Sequence, residues 1–257
     1  MGKGSGLPPQ RGSGSLKGVD MISMFLQGLF KIPAKDRNLG SLFPGLSHLG
    51  CCLHCGSLTP LQGFFCDSCQ QVLRHYETSE RDIPFRGPFT VHALFNWNAG
   101  ESDMLSRLFV VLKGGGVPEV WQFYARRFLA RRRASAQWPS SKIYIVPAPS
   151  VKQKEDHAFC WARALAVEAD VEILRIFSKV AAQKQRGATK KRRAQIRLRT
   201  NENFANMSED PNEIHWIFVD DILTTGATAT AAYQALGRPR HFEVWVLGSR
   251  GVLLRRT

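Results

Sequence analysis

The residues with the clearest chemical meaning form one short stretch, residues 216–228, which reads WIFVDDILTTGAT. Its first four residues are apolar and predict a buried strand, after which come two adjacent carboxylates, Asp220 and Asp221. Open α/β sheets bind ligands beyond the carboxyl ends of their strands. The stretch then leads into a predicted helix through small and hydroxylated residues, which are Thr224, Thr225, Gly226, Ala227 and Thr228.

This order of residues predicts a site for a sugar phosphate. Small residues let the backbone come close to a phosphate, so that several N–H groups converge on it, and a helix N-terminus favours negative charge. The preceding carboxylates can accept hydrogen bonds from the vicinal hydroxyls of a ribose. The alternative is a helix that is merely capped, but three threonines and two carboxylates around one glycine favour the phosphate site.

A second group of residues has the spacing of a metal site. Two Cys-x-x-Cys pairs are separated by ten residues, and they supply Cys52, Cys55, Cys66 and Cys69. Four thiolates complete a tetrahedral zinc shell with bonds of about 2.3 Å and leave no position for water, so the spacing predicts structural Zn²⁺. Four unrelated buried thiols are the alternative, and Cys51 and His54 are spare ligand candidates.

The elements that must position these residues predict an α/β fold. Short apolar runs alternate with helical stretches from residue 143 onward, which is typical of a mainly parallel sheet. We predict strands over 143–146, 172–177, 214–219 and 242–247, and helices over 157–168 and 227–236. Earlier in the chain, helices are predicted over 21–32, 103–113 and 118–134.

These elements divide the chain into four parts. Residues 1–20 are predicted to be a disordered tail, because they are glycine, serine, proline and basic residues. Residues 21–75 form an amphipathic helix and zinc-finger module, residues 76–138 a helical connector, and residues 139–257 the domain with the phosphate site.

The positive charge of the chain is local. The 257 residues carry a formal net charge of +14. Most of the excess lies in two stretches without acidic residues, residues 120–154 and residues 173–201. A local excess of this size predicts a polyanionic partner, for which single-stranded DNA is the candidate. A solvated helix face is the alternative for the second stretch. The candidate nucleic-acid-binding residues are Arg131, Arg132, Arg133, Lys184, Arg186, Lys190, Lys191, Arg192, Arg193, Arg197 and Arg199.

The sequence gives no sign of a membrane span or a secretory signal. It contains no run of about 18 apolar residues. Its N-terminus lacks a basic region followed by a long apolar stretch and a cleavage site. We therefore predict a cytoplasmic protein.

The two motifs together resemble a known family. Residues 216–228 resemble the phosphoribosyl pyrophosphate motif of type I phosphoribosyltransferases, and with the upstream four-cysteine finger the chain resembles the ComF family of competence proteins, which includes GntX-type proteins. Val146 and Pro147 resemble the end of a family strand, and Ala148, Pro149 and Ser150 its pyrophosphate-side loop. Lys113 resembles the lysine that ends the helix before the catalytic domain. The chain also resembles the start of the family's basic lid segment, at Lys184, Gln185 and Gly187.

The resemblance implies a ligand and a cofactor. Residues 224–228 would hold the 5-phosphate of phosphoribosyl pyrophosphate or a nucleotide, and Asp220 and Asp221 its ribose hydroxyls, with Mg²⁺ bridging hydroxyls and pyrophosphate. Family members are linked to uptake of single-stranded DNA during natural transformation, beside a helicase partner. After the pyrophosphate-side loop, which corresponds to residues 148–150 and is called the proline-rich loop below, the family usually shows an Arg-Gly-Phe-Asn run. This chain has His157, Ala158, Phe159 and Cys160 there.

Two functions remain open at this point. One is a phosphoribosyltransferase-like protein that binds phosphoribosyl pyrophosphate and handles single-stranded DNA. The other is an active phosphoribosyltransferase of nucleotide metabolism with an unidentified acceptor, for which Asp220 and Asp221 are the catalytic candidates.

Overall fold

The computed structural model describes residues 49–60, 64–78, 87–98, 100–113, 118–135, 138–150, 156–179 and 197–250. The predicted tail 1–20 and the predicted helix over 21–32 lie outside these ranges. So do several of the basic candidates, which are Lys184, Arg186, Lys190, Lys191, Arg192 and Arg193.

A five-stranded sheet forms the centre of the molecule, and every pair of neighbouring strands in it is parallel. From one edge to the other, its strands are β3 (Thr90–Trp97), β9 (Phe242–Arg250), β8 (His215–Leu223), β4 (Ile143–Pro147) and β5 (Glu172–Ile173). The predicted α/β class with a mainly parallel sheet is confirmed. The inner strands are apolar because both faces of the sheet are covered.

Helices follow several of these strands, as the predicted alternation requires. The helices of the described residues are α1 (Asp67–Arg74), α2 (Asp103–Lys113), α3 (Pro118–Ser135), α4 (His157–Ala169), α5 (Glu202–Ala205) and α6 (Ala227–Ala235). Two antiparallel hairpins complete the fold, β1 (Leu49–Cys51) with β2 (Leu58–Pro60), and β6 (Phe177–Lys179) with β7 (Leu198–Thr200). Within the described ranges, no helix has the length and apolar character to cross a bilayer.

Two predictions about these elements were wrong. The strand predicted over 172–177 is divided, because the chain leaves the sheet after Ile173 so that Ile176 and Phe177 become buried on the other face. The segment 76–138, predicted as a helical connector, also contains β3, which pairs with β9 at the sheet edge. Residues 90–97 mix polar and apolar side chains and were not singled out in the sequence, and their pairing with a distant strand makes them a strand.

The core has one layer on each face of the sheet. Because side chains alternate along a strand, Ile217 and Val219 face one layer, whereas Trp216 and Phe218 face the other. The first layer packs against α2, α3 and α4 and also contains buried cysteines of the N-terminal module. The second layer packs against α6. The strand that carries the acidic pair is therefore held rigidly from both sides.

Candidate functional site

The predicted ligand site lies beyond the ends of β4 and β8, two neighbouring strands after which the chain continues toward opposite edges of the sheet. After β4 the chain continues through α4 to β5, whereas after β8 it continues through α6 to β9 on the other side. Such a switch point leaves a crevice beyond the carboxyl ends of the two strands, where ligands bind. The β4–β8 ladder ends at Pro147 and Val219, and the next residues along β8 are Asp220 and Asp221.

The backbone of β8 continues through the acidic pair. Asp220 and Ile222 remain in register with Val246 and Gly248 of β9, although β4 no longer pairs with this part of the strand. The predicted strand over 214–219 is thus longer than expected and ends at Leu223. This continuation fixes the two carboxylates on a regular strand instead of a mobile loop.

Asp221 is buried and lies against two basic side chains. Its side chain is only 7% exposed, and its Oδ2 atom lies 3.1 Å from Lys113 Nζ at the end of α2. The same oxygen lies 3.8 Å from Nε2 of His157, the first residue of α4. Three separate elements therefore meet at one carboxylate oxygen.

Asp220 has a different environment. Its Oδ1 atom accepts a hydrogen bond from the backbone N–H of Asp221 at 2.9 Å. Part of the residue is exposed, but protein atoms surround its carboxyl densely. This desolvation, followed by the negative charge of Asp221, raises the pKa of Asp220 to about 8.

The loop before α6 has the backbone geometry of an anion site. Gly226 lies in the left-handed region at φ +72°, where a glycine is favoured, and precedes the first turn of α6. No side chain in the described part of the molecule accepts the N-cap hydrogen bond of this helix, and its first turn contains no acidic residue. Thr224 and Thr225 are exposed beside it. The N–H of Ala227 donates a long hydrogen bond to Thr225 Oγ1 at 3.4 Å, and the other N–H groups at this helix start are available to an anionic ligand.

The proline-rich loop reaches the same crevice. It begins where β4 ends, and the N–H of Ala148 donates to the carbonyl of Val219 at 2.8 Å. Ala148 is buried, whereas Pro149 and Ser150 are half-buried. The structure therefore brings residues 148–150 and 220–228 to one edge of the sheet.

The described part of the basic segment lies near this edge. Arg197 and Arg199 are exposed at the β6–β7 hairpin, and Arg199 Nε donates to Ser178 Oγ at 3.2 Å. The positive charge of Lys179, in β6, acts on Asp220 and lowers its pKa, but less strongly than burial and Asp221 raise it. The hairpin from which the basic segment extends is thus close to the acidic pair.

The candidate arginines of α3 make contacts within the molecule. Arg131 donates to the carbonyl of Leu94 at 3.2 Å, and Arg133 donates to the carbonyl of Glu168 at 3.2 Å. Arg132 is only 12% exposed in its side chain and forms an ion pair with Glu243 at 3.0 Å. Arg131 and Arg132 therefore hold α3 against the sheet.

The four predicted metal ligands come together. The Sγ atoms of Cys52, Cys55, Cys66 and Cys69 all lie within 4.8 Å of one another. Cys55 Sγ and Cys66 Sγ are 3.7 Å apart, which matches the edge of about 3.8 Å of a tetrahedron with Zn–S bonds of about 2.3 Å. The cluster fits a metal such as zinc, and the four cysteines would supply a closed structural site.

The surroundings of the thiols differ in polarity. The side chain and backbone N–H of Ser57 are the main reasons that the pKa of Cys55 is lowered to about 6. Burial raises the pKa of Cys69, whose Sγ atom lies 3.4 Å from Nδ1 of His54. His54 is exposed and stands beside the cluster as an outer neighbour of Cys69.

Comparison with known proteins leaves the family open. The chain matches no model of a protein family, and a search of curated proteins finds no match.

Sequence reasoning missed the contacts that tertiary structure makes with the acidic pair. His157 was noted only as a departure from the family pattern, and Lys179 was not singled out. A basic residue at a strand or helix end next to a predicted ligand edge is the signal that would have drawn attention to both.

Proposed function

We propose that this protein is a ComF-type, phosphoribosyltransferase-like protein that binds phosphoribosyl pyrophosphate and Mg²⁺ and handles single-stranded DNA during its uptake. The observation that carries the ligand is the meeting of an acidic pair and an open helix N-terminus at one switch point of a parallel sheet. A phosphorylated sugar with free vicinal hydroxyls needs acceptors for the hydroxyls and N–H donors for the phosphate. The acidic pair and the helix N-terminus supply these two kinds of group only a few residues apart in the chain.

The residues of the site would divide the ligand between them. The N–H groups at residues 226–228 would bind the 5-phosphate, and the hydroxyls of Thr224 and Thr225 would add hydrogen bonds. Asp221 would accept a hydrogen bond from a ribose hydroxyl. Residues 148–150 would lie beside the pyrophosphate. Mg²⁺ bound together with the ligand would neutralise part of the pyrophosphate charge.

Calorimetric titration of the purified protein with phosphoribosyl pyrophosphate and Mg²⁺ tests this binding. We expect Asp221→Asn and Gly226→Ala each to weaken binding by about tenfold or more, since each removes about 1.4 kcal/mol or more of interaction. Glu172→Gln is the matched control, because Glu172 is exposed and pairs near the start of β4, away from the crevice. Absence of binding to the folded wild-type protein would reject the ligand.

Transfer of the phosphoribosyl group is the second candidate activity. The observation in its favour is Asp220, whose pKa is raised to about 8, so that it holds a proton at neutral pH and could donate it to the leaving pyrophosphate. An active enzyme would break the C1–O bond to pyrophosphate and form a bond from C1 to the acceptor, whose proton Asp221 would receive. Release of pyrophosphate in the presence of nucleobases, abolished by Asp220→Ala, would support turnover.

Binding of single-stranded DNA is tested separately. Arg197 and Arg199 are exposed at the hairpin that leads to Lys190 and its basic neighbours in the sequence. We expect binding of an oligonucleotide to weaken with salt, and the double variant Arg197→Gln/Arg199→Gln to reduce the slope of log K against log salt by about 1.4, or 0.7 per phosphate contact.

The matched control for the DNA measurement is Arg240→Gln. Arg240 is exposed just before β9 and therefore lies at the opposite end of the sheet. It should leave the salt dependence unchanged. Salt-insensitive binding, or no binding at all, would contradict the DNA role.

A further inference from the structure

The two carboxylates of the acidic pair differ in their charged neighbours. Asp221 Oδ2 lies 3.1 Å from Lys113 Nζ and 3.8 Å from His157 Nε2. Within the described ranges, Asp220 forms no ion pair, and its Oδ1 atom accepts the N–H of Asp221. Lys179 is a more distant positive charge that acts on Asp220. The geometry is therefore asymmetric, with the close basic side chains on one member of the pair.

This asymmetry decides where a shared proton resides. Two adjacent carboxylates in a desolvated place do not both ionise readily, because each negative charge disfavours the other. A cation in contact with one carboxylate favours its charged form and leaves the proton to the other. Asp221 has such a cation at 3.1 Å, whereas Asp220 has none in contact within the described ranges.

We propose that Lys113 is a positioning residue of the ligand site, which keeps Asp221 ionised and thereby leaves the proton of the acidic pair on Asp220. The chemical meaning of this arrangement rests on the proposed function, whereas the arrangement itself belongs to the free protein. The raised pKa of Asp220 agrees with the assignment.

The assignment explains how an acidic pair can face a polyanion. With Asp220 protonated and Asp221 paired to Lys113, the sugar end of the site carries no net negative charge to repel the phosphates of the ligand. The pair then offers one hydrogen-bond donor and one acceptor. Two vicinal hydroxyls can satisfy both, because a hydroxyl both donates and accepts.

The test follows the aspartate carboxyl resonances of the ligand-free, full-length protein by ¹³C NMR as the pH is raised. Asp220→Asn and Asp221→Asn assign the two resonances. In the wild-type protein we expect one transition near pH 8 that belongs to Asp220, in which the Asp221 resonance moves little. In Lys113→Gln we expect both resonances to move together and the midpoint to rise by about one pH unit.

Two variants serve as controls. Lys113→Arg keeps the positive charge and should behave as the wild type, and Lys142→Gln removes a lysine from the exposed pair with Glu209 and should leave the transition unchanged. Because His157 faces the same oxygen, each titration is repeated in a His157→Gln background, where the effect of Lys113→Gln should persist.

The proposal is overturned if Asp221 carries the proton in the wild-type protein, or if Lys113→Gln leaves both resonances unchanged. Lys113 is 43% exposed in its side chain, so its replacement should not prevent folding, and the dispersion of the spectrum checks this. No ligand is present in the measurement. Its failure is therefore distinguishable from failure of the protein to bind phosphoribosyl pyrophosphate.

Discussion

A single guanidinium nitrogen of Arg132 lies 3.0 Å from both carboxylate oxygens of Glu243. Nε2 of His92, Nε2 of His215 and the indole N–H of Trp245 also approach this carboxylate, at 3.4, 3.3 and 2.8 Å. Three strands and α3 thus meet at the half-buried carboxylate of Glu243, near the sheet end opposite to Asp220.

The largely buried pair of Arg132 and Glu243, whose side chains are 12% and 15% exposed, should contribute strongly to stability. Burial alone would raise the pKa of Glu243, but His215, His92 and Arg132 more than offset this and hold the pKa well below its ordinary value. The stabilisation is therefore present at neutral pH and is lost as the pH falls below about 4. We expect Glu243→Gln to lower the free energy of unfolding at pH 7 by about 3–5 kcal/mol, measured by urea denaturation, because it removes the carboxylate from the ion pair with Arg132.

Lys142→Gln is the comparison for this prediction. The Lys142–Glu209 pair is much more exposed, so the loss of this pair in Lys142→Gln should lower the free energy of unfolding far less. Equal losses in the two variants would contradict a special role for the buried pair.

Asp220 should make the protein less stable at alkaline pH. Its pKa is raised to about 8 in the folded protein, so the folded state holds the proton more tightly than the unfolded state. Stability from this group is complete below about pH 4 and is lost as the pH rises through 8. Relative to wild type, Asp220→Asn should therefore gain about 1–3 kcal/mol between pH 6 and pH 9. Thermal unfolding measures the difference, and Glu213→Gln, at an exposed position, should show none.

Gly248 is predicted to tolerate no side chain. A Cβ atom at this position would lie 2.5 Å from Cζ3 of Trp97 and 2.6 Å from Cζ of Phe109, whose rings stack on each other. We expect Gly248→Ala to cost about 1–3 kcal/mol of unfolding free energy, because the packed rings must shift. Phe109→Leu in the same chain should recover part of the loss. Ser249→Ala, on the next residue and the other face, should cost less, and the reverse order would contradict the packing argument.

The cysteine cluster should bind one zinc ion per chain. Cys66→Ser is expected to abolish stoichiometric zinc, measured by elemental analysis, and to lower stability by several kcal/mol, because Cys52, Cys66 and Cys69 share a core with the sheet. Cys160→Ser should keep the metal, since Cys160 is not a member of the cluster. Zinc retained in full by Cys66→Ser would contradict the assigned ligand set.

Local sequence alone was sufficient for part of this protein. The four cysteines were predicted from their spacing, because a tight turn brings two thiols together whatever surrounds it. Helices α2, α3, α4 and α6 and strands β4, β8 and β9 were predicted from apolar periodicity, which acts within one element. The acidic pair and the glycine loop were predicted together because they are adjacent in the chain.

Only the tertiary structure decided how distant residues are used. The sequence does not distinguish the arginines of α3 from one another. In the structure, Arg132 pairs with Glu243, whereas Arg133 is exposed. Residues 90–97 became an edge strand because β9 pairs with them. Lys113 and His157, remote from Asp221 in the sequence, reach its carboxylate because α2 and α4 end and begin at the same crevice. Periodicity and spacing describe neighbours along the chain, whereas charge pairing depends on neighbours in space.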